Sequence, residues 1–140
     1  MMKIEINQKV IAEMKNWLES AYPHEACGFI TGKDLTGRRI VDGLISVQNR
    51  STENLRRRFV IDPLDYLKAE RATEAQGKTL LGVFHSHPDH PAIPSEHDLV
   101  SAQPFFSYVI ASLDATGMQT VKSYQLDETA FIEEELIVNQ

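Results

Sequence analysis

The spacing of apolar positions changes several times along the chain, and each change predicts an element. Residues 3–6 read as a short strand, and from Asn7, a good N-cap, the spacing becomes helical. Val10, Ile11, Met14, Leu18 and Ala21 make one stripe, Trp17 joins the core beside them, and Pro23 stops the helix near Tyr22. Residues 26–31 are almost continuously apolar and end at Gly32, which predicts a buried strand. The polar run 33–38, with Gly37, is a turn, and residues 40–47 are its hairpin partner, with a bulge or bend at Gly43. After a polar loop at 49–58 comes a short strand at 59–61. Asp62 and Pro63 then open a helix that runs to Gln76 and closes at Gly77.

The second half is punctuated by proline. Residues 80–86 read as a strand, and Pro88, Pro91 and Pro94 forbid regular structure between His87 and Ser95. A short helix follows over residues 95–103, ended by Pro104. The apolar run 108–113 predicts a central strand covered on both faces. Residues 114–117 turn the chain into 118–126, and 131–138 is the last strand, where Glu133, Glu134 and Glu135 break the alternation as an exposed edge feature. The sum is α/β: a single domain over residues 1–140, with a mixed β-sheet flanked by helices.

The candidate chemistry sits in residues 80–98, LLGVFHSHPDHPAIPSEHD. A strand there places Leu81, Val83, His85 and His87 on one face, so two imidazoles point the same way. Asp98 lies one turn into the following helix. A helix doubling back toward the end of its strand brings the Asp98 carboxylate up to both histidines. Three nitrogen and oxygen ligands with a position left for water describe a catalytic zinc site. Ser95 and Asp98 also match the [ST]xx[DE] pattern that caps a helix, and the cap and the site are compatible. Upstream, Glu25, Cys27 and Phe29 share a strand face. Taken alone, Glu25 reads as a surface carboxylate and Cys27 as a small buried apolar residue. His24, His90 and His97 read as exposed.

His85, His87 and Pro88, followed by Ser95 and Asp98 with seven residues between His87 and Ser95, resemble the JAMM motif of MPN-domain metallopeptidases. In PHEACGFITG, Glu25 falls where compact prokaryotic members carry the glutamate that completes the motif, and residues 49–63, ending RFVIDP, are also similar. The resemblance implies the MPN/JAB, cytidine-deaminase-like fold. It implies zinc held by His85, His87 and Asp98, with Glu25 as general base on the zinc-activated water and Ser95 donating a hydrogen bond to the oxyanion. It further implies hydrolysis of the amide bond after the C-terminal tail of a ubiquitin-like or sulfur-carrier protein. The alternative from another class is a non-catalytic MPN-type interaction scaffold, which would bind no stoichiometric zinc.

Composition narrows the field. With 140 residues and 42% hydrophobic content there is room for one core. Lys and Arg total 14 against 20 Asp and Glu, and a net charge of −6 disfavours nucleic acid and anionic membrane as partners. That balance weighs against a DNA-repair relative, and one Cys with no HxE excludes the deaminase chemistry of this architecture. A single Cys permits no internal disulfide, MMKIEINQ is not a signal peptide, and no apolar run approaches the roughly 18 residues of a membrane helix. The expected location is cytoplasmic, and a homodimer is compatible with all of this. Against the acidic background, Arg50, Arg56, Arg57 and Arg58 concentrate in one loop, either as a solvated surface or as a receptor for acidic groups of a protein substrate.

Overall fold

The computed structural model describes residues 2–140. Asn7 caps the first helix as expected, its Oδ1 accepting the Val10 N–H at 2.9 Å. In chain order the elements are β1 (Lys3–Asn7), α1 (Gln8–Ala21), β2 (Cys27–Leu35), β3 (Arg38–Val47), α2 (Pro63–Ala75), β4 (Thr79–Pro88), α3 (Glu96–Val100), β5 (Ser107–Asp114), β6 (Gly117–Asp127) and β7 (Ala130–Asn139). The strands close into a barrel in the order β1-β3-β2-β4-β5-β6-β7. Three pairings are parallel, β1 with β3, β1 with β7, and β4 with β5; the others are antiparallel. The mixed α/β class is therefore as predicted, with closure added.

β2, β4 and β5 are buried on both faces, which is why their sequences are nearly continuous apolar runs. One apolar cluster joins Met14 and Leu18 of α1 to Ile30, Leu81, Phe84 and Val109. A second joins Cys27, Phe29, Val83 and Tyr108 to Ala69 of α2. Leu81 thus leaves the face of Val83, His85 and His87, against the simple period of two. The β2–β4 register slips between Ile30, paired with Gly82, and Thr31, paired with Leu80, so Leu81 turns to the other side. At that slip Gly82 meets β5 so closely that an added Cβ would lie 1.8 Å from the Ser107 carbonyl oxygen. Backbone cannot step aside. Gly82→Ala is expected to destabilise the protein by about 3 kcal/mol, at the upper end of overpacking, as read by urea denaturation.

Three other expectations change. Residues 59–61 belong to no ladder, because the preceding loop folds back and occupies Val60: its N–H donates to Asn49 Oδ1 and its carbonyl accepts the Arg50 N–H. In the acidic run on β7, Glu133 and Glu135 are exposed as expected, but the strand is not an edge and Glu134 is not exposed. Closure pairs β7 with both β6 and β1, and Glu134 is buried, accepting from Ser123 Oγ at 2.7 Å and Gln125 Nε2 at 2.9 Å. The helix after the prolines spans only Glu96–Val100 and is capped at Ser101, whose N–H donates to the His97 and Leu99 carbonyls, short of Pro104.

Candidate active site

The antiparallel register of β2 on β4 sets Cys27 opposite His85, which carries Glu25, two residues before Cys27, to the end of β4 where His87 lies. The loop from Pro88 to Ser95 then returns α3 to the same place. His85, His87 and Asp98 are all buried, and their donor atoms converge. His85 Nε2 lies 3.1 Å from His87 Nε2 and 3.3 Å from Asp98 Oδ1, and His87 Nε2 lies 3.1 Å from Asp98 Oδ2. Ligands about 2.05 Å from a tetrahedral zinc sit about 3.3 Å from one another, and the two Nε2 atoms and the two carboxylate oxygens they face already stand at that spacing. The tautomer agrees. His87 Nδ1 donates to the Pro91 carbonyl at 2.8 Å, so its Nε2 presents a lone pair to a carboxylate oxygen, an arrangement that calls for a cation between them. The donor set therefore fits zinc.

Burial pushes His85 below the ordinary imidazole value despite the Asp98 charge, which keeps it neutral and ready to bind. Burial works to raise Asp98, but the His85 ring first, then the neighbouring His87 and the hydrogen bond donated by the Ser95 N–H, hold that carboxyl well below the usual range. Ser95 and Asp98 form a full capping box, with Ser95 N–H donating to Asp98 Oδ2 at 2.9 Å and Asp98 N–H to Ser95 Oγ at 3.1 Å. The cap and the ligand are one structure, because the hydrogen bond that starts the helix also aims the carboxylate.

Glu25 is buried beside this trio and has a donor atom within 4.8 Å of His87 and His90. Its backbone is fixed on both sides: the N–H donates to the Leu55 carbonyl at 2.7 Å and the carbonyl accepts from Asn49 Nδ2 at 3.1 Å. Asn49 was not singled out from the sequence. It ties the loop together by also donating to the Arg58 carbonyl and accepting from the N–H groups of Ser51 and Val60. Burial first, and the Asp98 charge second, push Glu25 up to about 9, with Arg57 opposing. Below about pH 6.5 the extra Glu25 proton of the folded, metal-free protein is offset by His85 and His90, which burial keeps neutral, but from there to about 9 Glu25 acts alone and stability falls as pH rises. The melting temperature of metal-free protein is expected to drop from pH 7 to pH 9, and Glu25→Gln, which cannot ionise, to flatten that drop. A wild-type curve parallel to that of the variant would contradict it.

The surroundings correct some expectations. His24 is exposed, as predicted. His90 is half-buried, stacked on His87 with ring centroids 4.2 Å apart, and Nδ1 donates to the Pro88 carbonyl. His97 is also half-buried and lines a cavity of about 220 Å³ beside His85 and Asp98, with Phe59, Ile61, Tyr66 and Tyr108 as its apolar walls. Phe59 packs on the His85 ring at 4.4 Å. Cys27 is fully buried, and burial pushes its thiol up to about 12, so it is an apolar core residue and not a reactive thiolate. In the arginine loop, Arg50 pairs with the half-buried Asp65, while Arg56 pairs with Asp89 and Arg58 with Glu53 at exposed positions worth little stability. Among the described residues Arg57 has no carboxylate partner, and its charge acts on Glu25 and His90.

Residues 7–127 match the family of prokaryotic homologs of the JAB domain. A Thermus thermophilus protein named as a probable TtuB-protein conjugate cleaving protease is 41% identical over 78 residues, covering 56% of this chain and 52% of that protein. The match thus spans about half the length of that relative. A Haloferax volcanii desampylase is 32% identical over 107 residues, 76% of this chain and 73% of the relative. A Desulfitobacterium hafniense protein of known solution structure superposes with a TM-score of 0.87 at 32% identity, over 98% of this chain and 93% of the other. A JAB1/MPN domain protein from Archaeoglobus fulgidus shares the fold, with a TM-score of 0.61 at 20% identity over 96% and 98% of the two chains. No helix among the described residues is long and apolar enough to cross a membrane.

Proposed function

Because the chain belongs to the family of prokaryotic homologs of the JAB domain, we propose that it is a cytoplasmic zinc metallopeptidase. Its substrate is the amide bond that follows the C-terminal tail of a ubiquitin-like, sulfur-carrier-type protein. The observation that carries this reading is the convergence of His85, His87 and Asp98, with the Glu25 carboxyl alongside. The names of relatives support the substrate class, one a TtuB-protein conjugate cleaving protease and two desampylases.

His85 and His87 through Nε2, and Asp98 through its carboxylate, would hold zinc. When bound, zinc supplies Lewis acidity, polarising the scissile carbonyl and acidifying a water. The protein supplies the proton traffic. Glu25 takes the proton of the attacking water on its carboxylate and returns it to the leaving nitrogen, acting as base and then as acid. Its burial raises its proton affinity, and the Asn49 and Leu55 contacts fix where it stands. Ser95 Oγ already accepts the Asp98 N–H, so its own O–H is free to point at the developing oxyanion. Ser95→Ala is expected to lower the turnover rate by about a hundredfold with zinc retained. Loss of the cap should add a destabilisation of about 1 kcal/mol.

The tail has a place to lie. Segment 59–61 lies outside every strand, and the Phe59 and Ile61 backbones make no hydrogen bonds among the described residues. A flexible tail can pair with that backbone while its side chains enter the cavity walled by Tyr66 and Tyr108. The test is a ubiquitin-like protein linked through its C-terminus either to a lysine side chain or to an α-amino group. Intact-mass spectrometry of the zinc-loaded reaction should show the tail released with its own carboxylate, and the better linkage defines the bond type. No cleavage of either linkage by zinc-loaded protein would refute the peptidase reading.

A further inference from the structure

A second group of donors overlaps the first. Glu25, His87 and His90 each offer an atom within 4.8 Å of the other two. His87 is already committed, Nδ1 to the Pro91 carbonyl at 2.8 Å and Nε2 toward Asp98 at 3.1 Å, and a neutral imidazole has only one lone pair to give. What remains is the Glu25 carboxyl and the His90 ring. His90 Nδ1 donates to the Pro88 carbonyl at 2.8 Å, which selects the tautomer with its lone pair on Nε2. Stacking on His87, with planes 19° apart, holds the ring over the site. Among the described residues, no group donates a hydrogen bond to the Glu25 carboxyl. A buried carboxyl is thus left beside a neutral imidazole whose outer nitrogen is already oriented by the backbone.

We propose that Glu25 and His90 form a second, weaker zinc site, and that filling it shuts the enzyme off by engaging the general base. Carboxylate and imidazole are ordinary zinc ligands, and adjacent ions in two-metal sites stand about 3.5–4 Å apart. Affinity is low for stated reasons. There are two protein donors instead of three, the first cation repels the second, and Arg57 brings a further positive charge to Glu25. Zinc is therefore both activator and brake, and activity is confined to a window of zinc concentration. The inference rests on Glu25 being the general base, as proposed above.

The test is equilibrium dialysis of the whole chain against zinc chloride, with bound zinc counted by elemental analysis, beside conjugate cleavage at the same free zinc. Wild type should bind one equivalent tightly and a second at least tenfold more weakly, with cleavage falling several-fold as the second fills. His90→Ala and His90→Gln should keep the first equivalent and the cleavage it supports, while inhibition moves to at least tenfold higher zinc. Glu25→Gln should bind only the first equivalent. A wild type that stops at one equivalent overturns the second site, as does unchanged inhibition in both His90 variants. A wild type that binds no tight equivalent overturns the proposed function instead, so the two failures are distinguishable.

Discussion

Glu25→Gln is expected to bind zinc like the wild type at the His85, His87 and Asp98 site, yet to cleave conjugates about a hundred- to ten-thousandfold more slowly. That range is what a positioned general base contributes. The substitution is nearly isosteric, so the backbone contacts to Leu55 and Asn49 survive, and none of the three ligands touches the lost charge directly. The variant separates holding the metal from moving the proton. Single-turnover kinetics on zinc-loaded protein, with bound zinc measured on the same sample, checks it. Cleavage within threefold of wild type would remove Glu25 from the mechanism.

Asp98→Ala is the complementary case, and the larger one. It removes a ligand and leaves two buried imidazoles facing each other with Nε2 atoms 3.1 Å apart and no carboxylate to organise them. It also strips the Ser95 N–H of its partner, opening one half of the capping box. Zinc binding and cleavage are both expected to fall below detection. In thermal melts, added zinc should raise the melting temperature of wild type and leave that of the variant unchanged, because only a ligand bound by the folded state shifts the equilibrium. Equal zinc-dependent shifts in the two proteins would show that the metal sits elsewhere.

The site was legible in the sequence wherever its geometry is local. His85 and His87 follow from the period of a strand, and Ser95 and Asp98 from the first turn of a helix; the structure unites all of them. Glu25 was legible only through the family resemblance. It precedes its strand, and what brings it to His87 is the β2–β4 register, a pairing across some sixty residues that no local pattern reports. Asn49 went unnoticed for the same reason, because its four hydrogen bonds run to partners that only the folded loop assembles.

Errors of face and edge have similar origins. Leu81 follows the alternation on paper, but the slip at Ile30 and Thr31, where Gly82 presses on Ser107, turns it over. Glu134 looks like part of a solvated acidic run, yet β7 closes against β1, and β6 supplies Ser123 and Gln125 as partners for its carboxylate. Barrel closure is a long-range event. His90 was read as exposed because a polar residue in a proline-bounded turn usually is; stacking on His87 depends on how tightly that turn folds back.

The most direct test is the zinc content of wild type purified without added metal at neutral pH, measured by elemental analysis beside His87→Ala. The expected result is one zinc per chain in wild type and none in the variant, since His87 contributes the central Nε2, within 3.1 Å of both His85 and Asp98. No zinc in wild type, with none taken up on addition, would contradict a metal centre at His85, His87 and Asp98, and with it the peptidase.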